Sequence, residues 1–528
     1  MINDRPKRNS IDKRDRLGTL LGPLQCCLTP WGAIGVGISG WILTAPLSSA
    51  PLAIGLCWWG VVLLLWAIQL ERPWINVLPF PPLTALALHL FLRWELGGMV
   101  LLLSRDGPGD IQDWIAHVPQ ALPLNAAMTS GIVLAGLLNR HLVDHVPPPS
   151  SADISQQSGP RGFGKQHLLL LGLITGAVAI GYVAVGFFAG TLDRGAAYFT
   201  WAGQFWRPDT LFSAVIRLRD LYFILLPLLL WRWHKNLLIL LIFLLPTAVS
   251  LAASAVLGGR GLLLYPGLLT LGGLWLAQAN PKLIRWLMLG LCAVALSAIA
   301  VLPTMRHSES FLNSSTSDLK TRLGALRYGS EILQSSTAIP LIGRDLYAWS
   351  DPYLFREPGL SQPPAGSKRL GNLLFLWAPQ AVMPNRPPIN DGHLIAKEIK
   401  GSPNEGTKGG RHIWFPGVSL SADLYWRFRW PGVVIGSSVF GLFYALFCRI
   451  WYQLADLRRS TATILIAIFP STFLQGPPLR SLSETAWNWF YEFPKYIIIL
   501  GAITALIGLI NQFWPGRAPY AENQPGHR

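Results

Sequence analysis

Charge is scarce in this chain. Of its 528 residues, 13% are Asp, Glu, Lys or Arg, about half the share of a soluble domain. Cysteine is scarce too. The five are Cys26, Cys27, Cys57, Cys292 and Cys448, all in or beside apolar segments. That placement excludes an external disulfide framework, a zinc site and a cysteine nucleophile, and fits small buried hydrophobes. There is no complete phosphate loop of the Gly-x-x-x-x-Gly-Lys-Ser/Thr kind, so ATP hydrolysis within the chain is not expected. Base-reading modules and internal repeats are also missing, and nucleic acid is not an expected partner. The basic stretch before Leu17 is too polar to read as a cleavable signal peptide.

Apolar residues fill the space that charge leaves. They make up 51% of the chain, with 23 Trp and 41 Pro, as in polytopic proteins with aromatic interfaces and interrupted helices. A crossing helix needs roughly 20 apolar residues, and about twelve segments qualify. They are 31–49, 51–69, 80–103, 121–140, 167–189, 211–230, 236–256, 262–279, 286–304, 432–450, 461–478 and 495–514. The third carries Arg93 and Glu95, and the sixth Arg217, Arg219 and Asp220, so these two are less secure as lipid-facing spans. The expected fold is an all-α polytopic membrane protein with one large external loop. Its parts are a basic tail (1–30), nine spans (31–304), the loop (305–431), three spans (432–514) and a short tail (515–528).

Orientation follows from Lys/Arg bias. With the N-terminus inside, the inner segments hold 19 Lys/Arg and the short outer ones 6. Both termini are therefore expected in the cytoplasm, and the loop outside. The basic tail suits anionic lipid. The Pro/Ser-rich stretch from Val143 to Lys165 reads as a flexible inner linker. The polar segment from Arg306 to Arg429 holds 15 Lys/Arg against 10 Asp/Glu. That excess suits an anionic substrate. Its acids are scattered, and no metal site is expected.

Several residues in this frame could carry chemistry. Arg260, in Gly258-Gly259-Arg260-Gly261, sits in a tight turn between two spans. A guanidinium at that depth either lines a wet cavity or snorkels. Lys320, Arg322 and Arg327 stand on an expected amphipathic helix, which could bind substrate or lie on the membrane surface. Arg344 follows in Ile342-Gly343-Arg344-Asp345. Arg386 is held in a proline clamp, Pro384-Asn385-Arg386-Pro387-Pro388, which suits bidentate phosphate or carboxylate recognition. His393 and Lys397 share a helix face, and Arg411-His412 precedes the tenth span. Asp423 and Tyr425 come just before that span, and pairing of Asp423 with a nearby Arg is the plain structural alternative.

Three of these elements together resemble the O-antigen and oligosaccharide repeat-unit polymerases of bacterial envelopes. The first is the Gly259-Arg260-Gly261 turn. The second is the loop run from Pro340 to Tyr347, followed by a Pro-rich segment ending in Arg386-Pro387. The third is Asp423-Leu424-Tyr425-Trp426-Arg427-Phe428 leading into Gly432-Val433-Val434-Ile435-Gly436. The similarity spans roughly 165–450. Two departures stand out: Pro379-Gln380 where the family often has Pro-Arg, and Arg429 where it usually has Gly.

The resemblance implies a glycosyltransferase bundle in the inner membrane that joins undecaprenyl-diphosphate-linked repeat units, without cofactor or metal. A chain-length regulator is a possible partner. Arg260 and Arg386 would meet the diphosphate, with Arg327, Arg344 or Arg411 and Tyr425 in support. Asp423, His393 or His412 would act as base or orient the acceptor. A ligase of finished glycans, a flippase of lipid-linked saccharide and a non-catalytic scaffold are the competing readings. A Cys/His membrane protease is disfavoured, because no cysteine lies in the outer loop.

Overall fold

The computed structural model describes residues 49–75, 81–103, 115–143, 165–188, 211–257, 260–276, 351–357, 359–378, 407–408, 411–412, 418–456 and 480–492, with isolated positions in 283–294, 343, 383–399 and 494–509. Within these the regular structure is helical, apart from one two-residue antiparallel ladder, and turns connect the 3-10 segments between 356 and 378. The main helices are α1 (Ser49–Leu70), α2 (Arg72–Ile75), α3 (Pro82–Leu90), α4 (Gly97–Leu103), α5 (Val118–Val143), α6 (Lys165–Phe188), α7 (Leu211–Arg232), α8 (Leu237–Leu257), α9 (Arg260–Leu276), α10 (Leu420–Asp456) and α11 (Leu482–Trp487). Two described segments are long and apolar enough to cross a membrane: Pro82–Leu102, 21 residues, and Leu420–Tyr452, 33 residues. The expected spans 31–49 and 461–478, most of 495–514 and the expected amphipathic helix around 319–333 lie outside the described residues.

The helices pack in two groups. The first joins α1, α3, α4, α5 and α10 around Trp94, Leu90, Leu124, Trp426 and Tyr444. The second joins α6, α7 and α8 around Tyr222, Phe223, Ile224 and Phe243. Helix α9 touches both, since Leu269 packs in the second group and Leu271 in the first. Small residues permit the closest approaches. A side chain at Gly131 of α5 would come within 2.7 Å of the Ser437 carbonyl of α10. Pro227 opens the ladder of α7, and Gly273 of α9 seats its backbone against Pro227 and the Ile224 carbonyl.

Polar contacts set the direction of the helices. At one end, Glu71 caps the start of α3, taking the amides of Leu83 at 2.9 Å and Thr84 at 2.7 Å. Tyr452, near the end of α10, donates to the same carboxylate. At the other end, Ser421 of α10 donates to Asn125 of α5 at 3.1 Å. Helices α5 and α10 therefore run parallel. Gly343 of the polar segment rests on Leu101 of α4 at this second end. Outward faces stay apolar. Leu237 and Leu238 of α8 are 71% and 69% exposed, and Ile435 of α10 is 64% exposed. Such stripes suit lipid rather than water.

Helix α10 begins at Leu420, well ahead of the apolar run that starts at Gly432. A break at Arg429 (φ 57°, ψ −155°), two residues before Pro431, divides its polar first turns from the apolar remainder. Pro431 restrains Trp430 before it and has no amide to donate to the Arg427 carbonyl four residues back.

Candidate functional site

One cluster of buried polar residues lies at the end where α5 and α10 begin. Pro431 and the Arg429 break leave the Trp426 and Arg427 carbonyls without helical donors. The loop from Gln362 to Lys368 supplies them: the Ala365 amide donates to Trp426 at 3.2 Å and the Gly366 amide to Arg427 at 2.9 Å. Gly366 makes the turn with a φ of 56°, where a side chain would be strained. Arg427 returns the contact, donating through Nη1 to the Lys368 carbonyl at 2.8 Å and the Gly366 carbonyl at 3.3 Å. Arg429 donates to the Gln362 carbonyl at 2.6 Å.

Asp423 is the centre of this arrangement. Oδ1 accepts from Arg427 Nε at 3.0 Å, and Oδ2 accepts from the Leu482 amide at 2.7 Å, at the start of α11. Both partners in the ion pair are fully buried. In this geometry Asp423 holds the loop-clasping guanidinium and anchors α11, with both oxygens occupied. Tyr425 is half-buried, its ring packed on Phe355 and Trp430 with the Arg429 guanidinium 5.4 Å away.

A second buried acid lies beside it. Asp351 opens a 3-10 turn (Asp351–Phe355), and Oδ1 takes the Ser419 amide at 2.8 Å. Oδ2 has no hydrogen-bond partner among the described residues. Burial pushes this carboxyl up to about 7, against hydrogen bonds from Ser419 that favour the charged form. Ser419 and Ser421 join their hydroxyls at 2.9 Å, and Ser421 continues to Asn125. The result is a buried run of Asp351, Ser419, Ser421 and Asn125, next to the Asp423–Arg427 pair.

The remaining expected site residues divide cleanly. Arg260 is the first residue of α9, the helix that touches both groups. Arg411 and His412 form the second strand of the ladder, paired with Lys408 and Thr407. Only the backbone of these three is described. Arg327, Arg344, Arg386 and His393 lie outside the described residues. Asp423 and Tyr425 are thus the two site candidates whose side chains are placed, two residues apart on one helix and with different neighbours.

Sequence reasoning passed over Asp351 and Asn125, whereas the expected pairing of Asp423 with a nearby Arg is what the structure shows, with Arg427 as the partner. Asp351 meets Ser419 across 68 residues, and nothing local signals it. Arg427 was visible as an i, i+4 partner of Asp423. Compared with known proteins, the chain matches no family model, no curated protein and no solved structure.

Proposed function

We propose that the protein is an integral membrane glycosyltransferase that polymerises undecaprenyl-diphosphate-linked oligosaccharide repeat units at the outer face of the bacterial inner membrane. The reading includes about twelve spans, each needing roughly 20 apolar residues, both termini in the cytoplasm and the 305–431 segment outside. One observation carries it: the Arg260 turn, the Arg386 proline clamp and the Asp423-x-Tyr425 element occur in that order, with the last leading into a long apolar helix.

The chemistry follows from these residues. A diphosphate is already a good leaving group, so the demand is for fixed positive charge where charge develops. Arg260 and Arg386 supply it, with Arg327, Arg344 or Arg411 alongside. The acceptor hydroxyl needs orientation and a base. His393 or His412 serves there. Asp423 contributes by fixing Arg427, and through it the loop that closes over the acceptor.

The test is elongation in vitro. The purified full-length protein is given lipid-linked repeat units prepared from the cells that make it, and the products are separated by size. A ladder of longer lipid-linked glycans is expected, and Arg260→Ala abolishes it. Single transfer to a lipid core without a ladder would favour the ligase reading. Movement of the substrate across a vesicle membrane without new glycosidic bonds would favour the flippase reading.

A further inference from the structure

The helix that carries Glu95 is broken where the acid sits. Residues Phe91–Leu96 form a π-helical turn between α3 and α4, inside the segment Pro82–Leu102. A π turn inserts one residue and disturbs the backbone ladder, and such turns recur at functional sites. Glu95 is 3% exposed, and neither carboxyl oxygen takes a hydrogen bond of normal geometry among the described residues. A bare carboxylate is costly in such a place.

From α1, Gly60 lets its backbone come up against the acid: a side chain there would meet the Glu95 Cγ at 2.8 Å. From α5, the Thr129 hydroxyl lies within hydrogen-bonding reach of the acid while donating to the Ala126 carbonyl at 3.0 Å. The Cys57 thiol is the titratable group that faces Glu95 from α1. On its own helix, His89 and Arg93 precede it and act on each other.

Thr129 and Asn125 lie one turn apart on α5, and both are buried. Asn125 accepts from Ser421, which joins Ser419, whose amide meets Asp351. A chain of buried polar groups therefore leads from the loop-bearing end to Glu95. Glycan transfer from a diphosphate donor gives none of these deeper groups a task.

We propose that Glu95 is a cation site inside the helix bundle, taking one proton or one alkali-metal ion by way of the Asn125–Thr129 face of α5. The inference stands independently of the glycan-transfer reading.

The experiment is carbodiimide labelling. The purified full-length protein in detergent is treated with dicyclohexylcarbodiimide, a hydrophobic reagent for protonated carboxyls, and modified peptides are mapped by mass. Glu95 in the unaltered chain is expected to label, and Glu95→Gln to lose that adduct. If the ion is an alkali metal, Na⁺ or Li⁺ at fixed pH slows labelling about tenfold at about ten times its dissociation constant, by mass action. If it is a proton alone, these ions do nothing, and labelling falls as pH is raised. In Thr129→Val the alkali-ion protection weakens severalfold, or, for a proton alone, the pH at which labelling falls is displaced. The proposal is overturned if other carboxyls label while Glu95 does not. It is also overturned if Glu95 labels at a rate that neither pH nor alkali ions change. Mapping on the unaltered chain keeps both outcomes readable should Glu95→Gln fail to fold.

Discussion

The two helix groups solve the same packing problem differently. In the first, buried polar groups join elements far apart in sequence: Glu71 with α3 and Tyr452, Asn125 with Ser421, Asp351 with Ser419, and Asp423 with Leu482. In the second, the buried polar contacts are more local. Arg219 pairs with the adjacent Asp220 and faces the Tyr182 ring, and Tyr222 donates to the Phe243 carbonyl. Apolar packing and the Gly273–Pro227 fit do the rest. Where apolar surface covers both the inner and the outward faces of helices it gives little selectivity, so close fit and hydrogen bonds choose the partners. Among the described residues, the group joined by these long-range polar contacts is the one that holds the Gln362–Lys368 loop.

The sharpest way to break this contrast is at the Asp423–Arg427 pair. Asp423→Ala takes the carboxylate away from a buried guanidinium, and the loss is expected at about 3–5 kcal/mol. Thermal unfolding in detergent should show it, with protease cutting near Gln362–Lys368 appearing first. Overpacking comes next and should act on both groups alike. Gly131→Val in the first group and Gly273→Val in the second are each expected to lose about 1–3 kcal/mol. Tyr452→Phe removes one donor from Glu71 and should lower stability by about 1 kcal/mol.

A titration sharpens the contrast further. The Asp351 carboxyl titrates near 7 in the folded protein against an ordinary 3.8, so the folded state holds this proton more tightly. The stability it contributes is fully present below about 3.8 and is lost as pH rises through about 7. The melting temperature of the natural chain relative to Asp351→Asn should fall over that window and then level off. A difference that stays flat with pH would contradict the assignment. The smallest effect belongs to the outward face of the second group. Leu238→Ala, at a side chain 69% exposed, should change stability by no more than about 0.5 kcal/mol.

Sequence alone carries some of this architecture well. Long apolar runs such as 167–189 and 236–256 correspond to α6 and α8 within a few residues, because hydropathy needs no knowledge of partners. The start of α10 was less legible. Asp423, Arg427 and Arg429 look like loop residues in a hydropathy window, yet the acid and Arg427 neutralise each other inside the protein and Arg429 bonds to the loop. Pro431 signalled the break but not the loop that exploits it. The π turn around Glu95 has no signature in the hydropathy of the segment 80–103. At the site, Asp423 and Tyr425 could be picked out by type and position. Asp351 could not, because its meaning comes from Ser419, a residue distant in the chain.

The central claim is that the loop-bearing end, where α5 and α10 begin, faces outward together with the Arg260 turn. Single cysteines at Gly259, Asn385 and Lys235, in a chain otherwise free of cysteine, can be labelled in intact cells with a membrane-impermeant maleimide. The account predicts labelling at Gly259 and Asn385, and at Lys235 only after the cells are opened. Labelling of Gly259 and Asn385 from opposite faces would contradict it.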